Sequence, residues 1–251
     1  MTPSKKVHVT FPVLNEAAQL ETSILETLRF CESNQIDNFE LCIADNGSTD
    51  RTELIGRDLQ SRLEKVKYIR VPKKGFGLAL KAAWSQCEAD YVGYMDLDLS
   101  TDLKHLKQVY NLIQDGEKYA LIVGSRLQKG AKVEKRTLLR EIVSRCFNFW
   151  LRLNLRVGFT DGMCGFKFVE KKFYDQLASR FEFTDEWFFP TELAVRTEWM
   201  GGKILDLPVH WVDDSNSKSS KQLLRLTQQY LIGIERLRQE KRSFFSIPRF
   251  T

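Results

Sequence analysis

Residues 91–102 read YVGYMDLDLSTD, so an apolar run ends in two aspartates, Asp96 and Asp98, that flank Leu97. In extended chain that spacing turns both carboxylates to one side. Paired hard oxygens at a strand exit suit Mg²⁺ or Mn²⁺, which take one or two carboxylates and keep other positions for water and phosphate oxygens. Ser100-Thr101-Asp102 then offers an N-cap, and residue 103 onward has helical spacing. Strand, carboxylate pair and helix in succession is how an α/β enzyme displays a site at the carboxyl ends of its strands. Two solvated aspartates at a strand exit would look the same, so the weight of the pair depends on what the rest of the chain places beside it.

Alternation predicts a strand over 6–12, the largely apolar run 39–45 reads as a second, and an amphipathic helix lies between them to about residue 34. Asn46-Gly47-Ser48-Thr49 breaks the second strand, and Asp50 opens another helical stretch. A third strand over 66–71 leads into the basic glycine turn Lys73-Lys74-Gly75-Phe76-Gly77 and a helix over 78–87. After the Asp96 strand come a helix to about 114 and a strand over 119–124. This alternation implies an α/β fold, a mostly parallel sheet with helices on both faces. The second half has a basic loop over 127–136 and an amphipathic helix over 137–157 with aromatics on its apolar side. Beyond them lie a short strand ending near 168, a helix over 186–200 with Pro190 in its first turn, and two short strands within 203–211 divided by Pro208. A polar loop over 212–220, a basic amphipathic helix over 221–242 and an aromatic tail close the chain.

With 251 residues the chain can form one large α/β domain. Its 38 Lys and Arg against 33 Asp and Glu give a formal charge of +5, which favours anionic ligands or surfaces and does not mark a nucleic-acid binder. No apolar run approaches the roughly 18 residues of a membrane span, and no signal-peptide core follows Met1. The expected location is cytoplasmic, peripheral on the cytoplasmic membrane face. Cys31, Cys42, Cys87, Cys146 and Cys164 show no zinc-ligand spacing and read as reduced thiols.

Three signatures fall in order at the ends of the first, second and fourth strands: Pro12-Val13-Leu14-Asn15-Glu16 (P-x-x-N-E), Asp45-Asn46-Gly47-Ser48-Thr49-Asp50 (D-x-G-S-x-D) and Asp96-Leu97-Asp98 (D-x-D). Together they resemble the family 2 glycosyltransferases, which implies a GT-A fold, a Rossmann-like mixed sheet, and a nucleotide-sugar donor. On that resemblance Pro12, Asn15, Glu16, Asp45, Asn46, Lys74 and Gly75 line the base, ribose or phosphates, while Asp96, Leu97 and Asp98 meet the ribose, the diphosphate and its metal. Family members often carry aspartate where this chain has Asn46, which leaves the preferred base open. Lys74 and Gly75 read equally as a tight surface turn.

Downstream, Gly124-Ser125-Arg126, the pair Arg140 and Ser144, the stretch 161–167 (DGMCGFK), Trp187 with Glu192, and Val209-His210-Trp211 followed by Ser217-Lys218 resemble the dolichyl-phosphate glucose and mannose synthase group. The resemblance spans about 7–218. It implies a catalytic domain over 1–218, with a nucleotide-sugar half over 1–126 and an acceptor half over 127–218, and a basic helix and tail over 219–251. In that group the acceptor is a polyprenyl phosphate. Arg126, Arg140, Ser144 and Lys218 match positions that bind it, guanidinium forks being suited to phosphate oxygens. Arg140 could instead pair with Glu141 or Glu134. Ser100 stands where a glutamine often adds a metal contact, and Pro190 where the glucose branch often has aspartate.

The expected activity is inverting, metal-dependent transfer of a hexose from a UDP-glucose or GDP-mannose type donor to a polyprenyl or dolichyl phosphate. An alternative is a family 2 enzyme with a hydroxyl acceptor, for which Asp161, Asp185 and Glu192 are the candidate bases and, with Trp187, sugar contacts. A catalytically silent nucleotide-sugar-binding subunit is the third reading. Glu192 also reads as a helix anchor, and His210 and Trp211 as a strand end packed under the site. His8 and His105 have no partner visible in the sequence. The helix over 137–157 either lies in a membrane interface or covers the sheet; the last helix reads as packing with a basic outer face. A separate membrane subunit is a further possible partner.

Overall fold

In a computed structural model, residues 4–116, 118–213 and 223–246 are described, with side chains of the last helix described over 228–241. The first half alternates as its periodicity predicts: β1 (Val7–Val13), α1 (Leu20–Ser33), β2 (Phe39–Asp45), α2 (Thr52–Arg62), β3 (Val66–Arg70), α3 (Phe76–Ser85), β4 (Tyr91–Met95), α4 (Lys104–Gln114) and β5 (Leu121–Ser125). The second half contributes β6 (Lys132–Glu134), α5 (Leu138–Leu155), β7 (Phe166–Glu170), α6 (Lys171–Arg180), α7 (Phe189–Trp199), β8 (Ile204–Pro208), β9 (His210–Val212) and α8 (Leu223–Ser246). Seven strands form one sheet in the order β3-β2-β1-β4-β7-β5-β8. Only β7 is antiparallel to its neighbours, β4 and β5. Because β7 comes from the second half and lies between two strands of the first, the halves expected on either side of residue 126 share one sheet.

Both sheet faces are buried, as a parallel sheet requires. Val9, Phe11, Ile43 and Phe166 face a core closed by Leu20 and Ile24 of α1, Leu59 of α2 and Leu106 of α4. Cys42, Ala44, Val92 and Val123 face the other, closed by Leu80 and Trp84 of α3, Leu151 of α5, Leu193 of α7 and Ile234 of α8.

Three local expectations change. The 127–136 loop contains β6, which pairs in parallel with β9; three residues are too few for a strand period to show. The segment 171–180 is helical, beginning directly after β7. Pro208 ends β8 instead of dividing the strands, opposite Ser125 at the sheet edge, where a missing N–H is tolerated.

The helix α5 starts where Thr137 Oγ1 accepts from Arg140 N at 3.4 Å. It buries Ser144, Asn148, Leu151 and Leu155 and turns Leu138, Leu139, Ile142, Phe149 and Leu153 outward, all more than half exposed. So α5 covers the sheet with one face and presents a second, apolar face to solvent. The helix α8 packs through Tyr230, Ile234 and Leu237, and Gly233 lies flat against Phe188, where a Cβ would come within 2.2 Å of the ring. Among the described residues no helix is long and apolar enough to cross a membrane.

Candidate active site

The strand β4 delivers Asp96 to the carboxyl edge of the sheet, where its N–H donates to Gly165 O at 3.2 Å. Leu99 adopts φ +53°, and Asp98 Oδ1 accepts from Ser100 N at 2.9 Å, so a tight left-handed turn holds the two carboxylates side by side. A Cβ on residue 165 would sit 1.8 Å from Asp96 Oδ2. Only glycine leaves room for that carboxylate. Burial and the charge of Asp98 push the Asp96 carboxyl up to about 7, against the lowering influence of Arg126 and Lys167. Among the described residues Asp96 has no hydrogen-bond donor on its side chain. Two adjacent carboxylates facing one cavity, one of them without a side-chain donor among the described residues, fit a divalent cation, with the Ser100 hydroxyl on the same wall. Among the described residues no group of three His, Cys, Asp or Glu gathers around a common point, so substrate oxygens and water would complete the coordination.

Asp96, Asp98 and Ser100 line a cavity of about 210 Å³ together with Arg126, Arg136, Arg140 and Ser144. Its apolar walls come from Phe76 and Trp187, stacked with centroids 4.2 Å apart, and from Met163, Pro190, Trp211 and Tyr230. The sheet brings Arg126 in from the end of β5, and α5 brings Arg140 and Ser144, one turn apart, in from the other side. Arg126 is clamped by Asp161, with Nε to Oδ2 at 2.8 Å and Nη2 to Oδ1 at 3.0 Å. Arg140 pairs with Asp213, just past β9, and not with Glu141 or Glu134. Glu141 instead joins Arg136 at 2.9 Å and Arg145 at 2.6 Å.

The loops after β1, β2 and β3 form a separate shelf beside this cavity. Asn15, at φ +55°, accepts with Oδ1 from Thr49 N at 2.7 Å and Asp50 N at 3.3 Å. Its own N–H donates to Ser48 Oγ at 2.9 Å, and Glu16 N donates to Thr52 Oγ1 at 2.9 Å. The first two signatures are thus stitched to one another. Asn46 Oδ1 accepts from Gly75 N at 2.5 Å, which ties the glycine turn to the same shelf. Pro12 is half-buried at the end of β1, and Lys74 is exposed.

Several residues expected at the site are held by partners within the protein. Asp45 is fully buried, accepting from Ser48 N at 2.8 Å and Tyr68 OH at 2.6 Å, so its carboxylate orders the turn instead of facing a cavity. Leu97 points its side chain into the core and offers a ligand only backbone. Asp161 is not an available base: burial would raise its pKa, but the Arg126 charge and hydrogen bonds prevail and hold it at about 2. Asp185 pairs with Lys81 at 2.6 Å beside a second cleft, away from the carboxylate pair. Glu192, fully buried in α7, accepts from Arg196 at 2.6 and 2.9 Å and from Thr184 N at 3.0 Å, and lies 2.7 Å from Arg236 of α8. It anchors two helices and does not reach the cavity. Lys218 lies outside the described residues.

The sequence reading missed Arg136, Asp213, Gly165 and the part played by Trp211. Trp211 carries two guanidiniums, with Arg126 at 5.3 Å and Arg136 at 5.7 Å from its ring centroid. The stretch KRTLLR over 135–140 did offer a second arginine four residues before Arg140; nothing local marks the other three. His210 bridges Asp102 at 3.2 Å and Glu134 at 2.9 Å, and its N–H donates to His105 Nε2 at 2.7 Å, so the histidines brace β9 against the turn that carries Asp98. His8 meets Glu40 at 3.1 Å, far from the site.

Comparison with known proteins gives the following matches. Residues 9–178 match the model of Glycosyl transferase family 2. Glycosyltransferase AglD of Haloferax volcanii is 31% identical over 215 residues, which is 85% of this chain and 34% of that protein. The chain thus spans about a third of that relative's length. A dolichyl-phosphate beta-glucosyltransferase of Dictyostelium discoideum is 24% identical over 253 residues, covering 92% of this chain and 76% of that one. Among solved structures, glucosyl-3-phosphoglycerate synthase from Mycobacterium tuberculosis in complex with UDP matches with a TM-score of 0.69 at 20% identity, over 94% of this chain and 80% of that one. The mixed, mostly parallel seven-stranded sheet flanked by helices is the GT-A arrangement of that neighbour.

Proposed function

The chain belongs to glycosyl transferase family 2, and from that membership we propose that it moves a hexosyl group from a nucleoside-diphosphate sugar of the UDP-glucose or GDP-mannose type to the phosphate of a polyprenyl lipid, with inversion. The observation that carries this reading is the meeting of Asp96 and Asp98 with Arg126, Arg136, Arg140 and Ser144 in one cavity. Negative and positive charge line the same cavity of about 210 Å³. Two further facts support it: relatives named dolichyl-phosphate beta-glucosyltransferase, and a fold neighbour whose complexes hold Mn²⁺, UDP-glucose and phosphoglyceric acid, a phosphate-bearing acceptor.

Asp96 and Asp98, with Ser100 beside them, would hold Mg²⁺ or Mn²⁺ against the donor diphosphate. When bound, the cation neutralises the charge that builds on the departing nucleoside diphosphate. Arg126, fixed by Asp161 and Trp211, and Arg140 hold the acceptor phosphate behind the anomeric carbon. One acceptor oxygen forms the new C–O bond as the bond to the diphosphate breaks, and a single displacement inverts the carbon. An ionised phosphate already carries the attacking electron pair, so positioning and electrostatics suffice. Consistent with this, Asp161, Asp185 and Glu192 are each ion-paired within the protein. Phe76 and Trp187 wall the sugar from water, and the loops after β1 to β3 receive the nucleoside.

The exposed apolar face of α5 begins beside Arg140, at the mouth of the cavity, and is flanked by Arg145 and Arg152. It suits insertion into the surface of an anionic bilayer, from which a lipid phosphate reaches the arginines. A hydroxyl-bearing soluble acceptor is the rival reading.

Both are tested by offering UDP-glucose, UDP-N-acetylglucosamine and GDP-mannose with Mg²⁺ or Mn²⁺, with and without a short polyprenyl phosphate, while following nucleoside diphosphate release. Release that requires the lipid phosphate is the expected result. Release indifferent to it would overturn the lipid acceptor.

A further inference from the structure

Two buried donors in the cavity wall have no partner among the described residues: Arg136 Nε and Ser144 Oγ. The Arg136 side chain is 8% exposed, and Ser144 is 3% exposed. Both line the cavity that holds the carboxylate pair. Buried polar atoms are paired in the great majority of folded proteins, and an unpaired one in a cavity points to a missing ligand.

The three arginines of this wall are not equivalent. Arg126 makes two side-chain hydrogen bonds to Asp161, which forms no ion pair with another side chain among the described residues. Arg136 makes one, from Nη1 to Glu141 Oε2 at 2.9 Å, and Glu141 also accepts from Arg145 at 2.6 Å. Burial and the nearby charge of Arg126 both lower the pKa of Arg136, so its surroundings undercompensate the cation. The unmet groups are a guanidinium N–H and a hydroxyl, flanked by two more guanidiniums. Their common complement is an anion with several oxygens directed apart. A tetrahedral phosphate monoester offers three such oxygens, whereas a planar carboxylate offers two and a sugar hydroxyl carries no charge.

We propose that Arg136, acting with Ser144, is an acceptor-binding residue that contacts the phosphate directly, so that the wall is a three-arginine clamp selective for phosphate monoesters. This rests on the phosphate-acceptor reading above and adds a residue and a selectivity to it. Trp211, beneath both Arg126 and Arg136, positions the clamp.

The test compares wild type, Arg136→Gln and Arg136→Lys. Acceptor KM is measured with a short polyprenyl phosphate at saturating donor, donor KM is measured alongside, and inorganic phosphate is titrated onto each protein by thermal shift. In Arg136→Gln the acceptor KM should rise about tenfold or more, the loss of one charged hydrogen bond, with donor KM within about twofold and the phosphate-induced shift reduced. Arg136→Lys should recover part of the loss, because an ammonium restores charge without the fork. Unchanged acceptor KM and unchanged phosphate response in Arg136→Gln would overturn the proposal. A wild type that binds inorganic phosphate through Arg136 yet turns over without any lipid phosphate would uphold this subsite and bring down the lipid acceptor alone.

Discussion

At the ends of β1 and β2, Asn15, Asp45 and Asn46 direct their side-chain oxygens to neighbouring backbone N–H groups or to Tyr68. Across the cleft, Arg126, Arg136 and Arg140 take carboxylates from other elements, and two donors have no partner among the described residues. This shelf is therefore held by hydrogen bonds from backbone N–H groups and the Tyr68 hydroxyl, with no guanidinium–carboxylate pair among those bonds. The arginine wall is built from charge pairs whose members come from positions up to 73 residues apart. Removing one member leaves the other buried and uncompensated, which costs far more than loss of one neutral hydrogen bond.

That contrast is sharpened most by Asp161→Asn, which keeps the shape but removes the charge beneath Arg126. It should destabilise the fold by about 3–5 kcal/mol in urea unfolding. Asp45→Asn, the matching change on the donor shelf, should cost about 1 kcal/mol; equal losses at the two sites would break the comparison. The same pair sets a pH window. The Asp161 carboxyl is held at about 2 in the folded protein, below its unfolded value of about 3.9. Its contribution to stability is complete above about pH 4 and is lost as pH falls from there through about 2. Wild type should lose urea stability more steeply than Asp161→Asn across that interval.

Asp98→Asn should lower metal-dependent transfer by about 10²–10³-fold, of the order seen when one group stabilising developing charge is removed. Its melting temperature should not fall, because the change relieves repulsion between two carboxylates. Full activity in this variant would remove the carboxylate pair from the site. Tyr68→Phe, which deletes the hydroxyl on Asp45, should cost about 1–2 kcal/mol and act on donor KM more than on acceptor KM. The smallest effect on folding is expected at Phe149→Ser on the outer face of α5, within about 0.5 kcal/mol. Flotation with anionic vesicles should nevertheless fall in that variant. Flotation equal to wild type would count against α5 as the lipid-facing surface.

Much of the first half was legible because its information is local. Alternating or continuous apolar runs mark β1 to β5, and the turn residues between them mark the carboxyl edge where Asn15, Asp45 and Asp98 fall. Arg140 and Ser144 could be paired in advance because four residues make one helical turn. Glu192 shows where that kind of reading stops: a glutamate in the first turn of a helix looks the same whether it faces a substrate or, as here, two arginines inside the protein.

The amino-acid sequence by itself determined the alternating α/β order, the carboxylate pair at the end of β4 and the arginines available to oppose it, since spacing along one strand or helix decides which side chains share a face. Only the tertiary structure decided which carboxylate each arginine takes, that Gly165 makes room for Asp96, that β6 and β9 join, and that Trp211 supports two cations. These are choices among many chemically equivalent partners far apart in the chain. They are settled by burial and by the sheet order that places β7 between β4 and β5, neither of which leaves a local period to read.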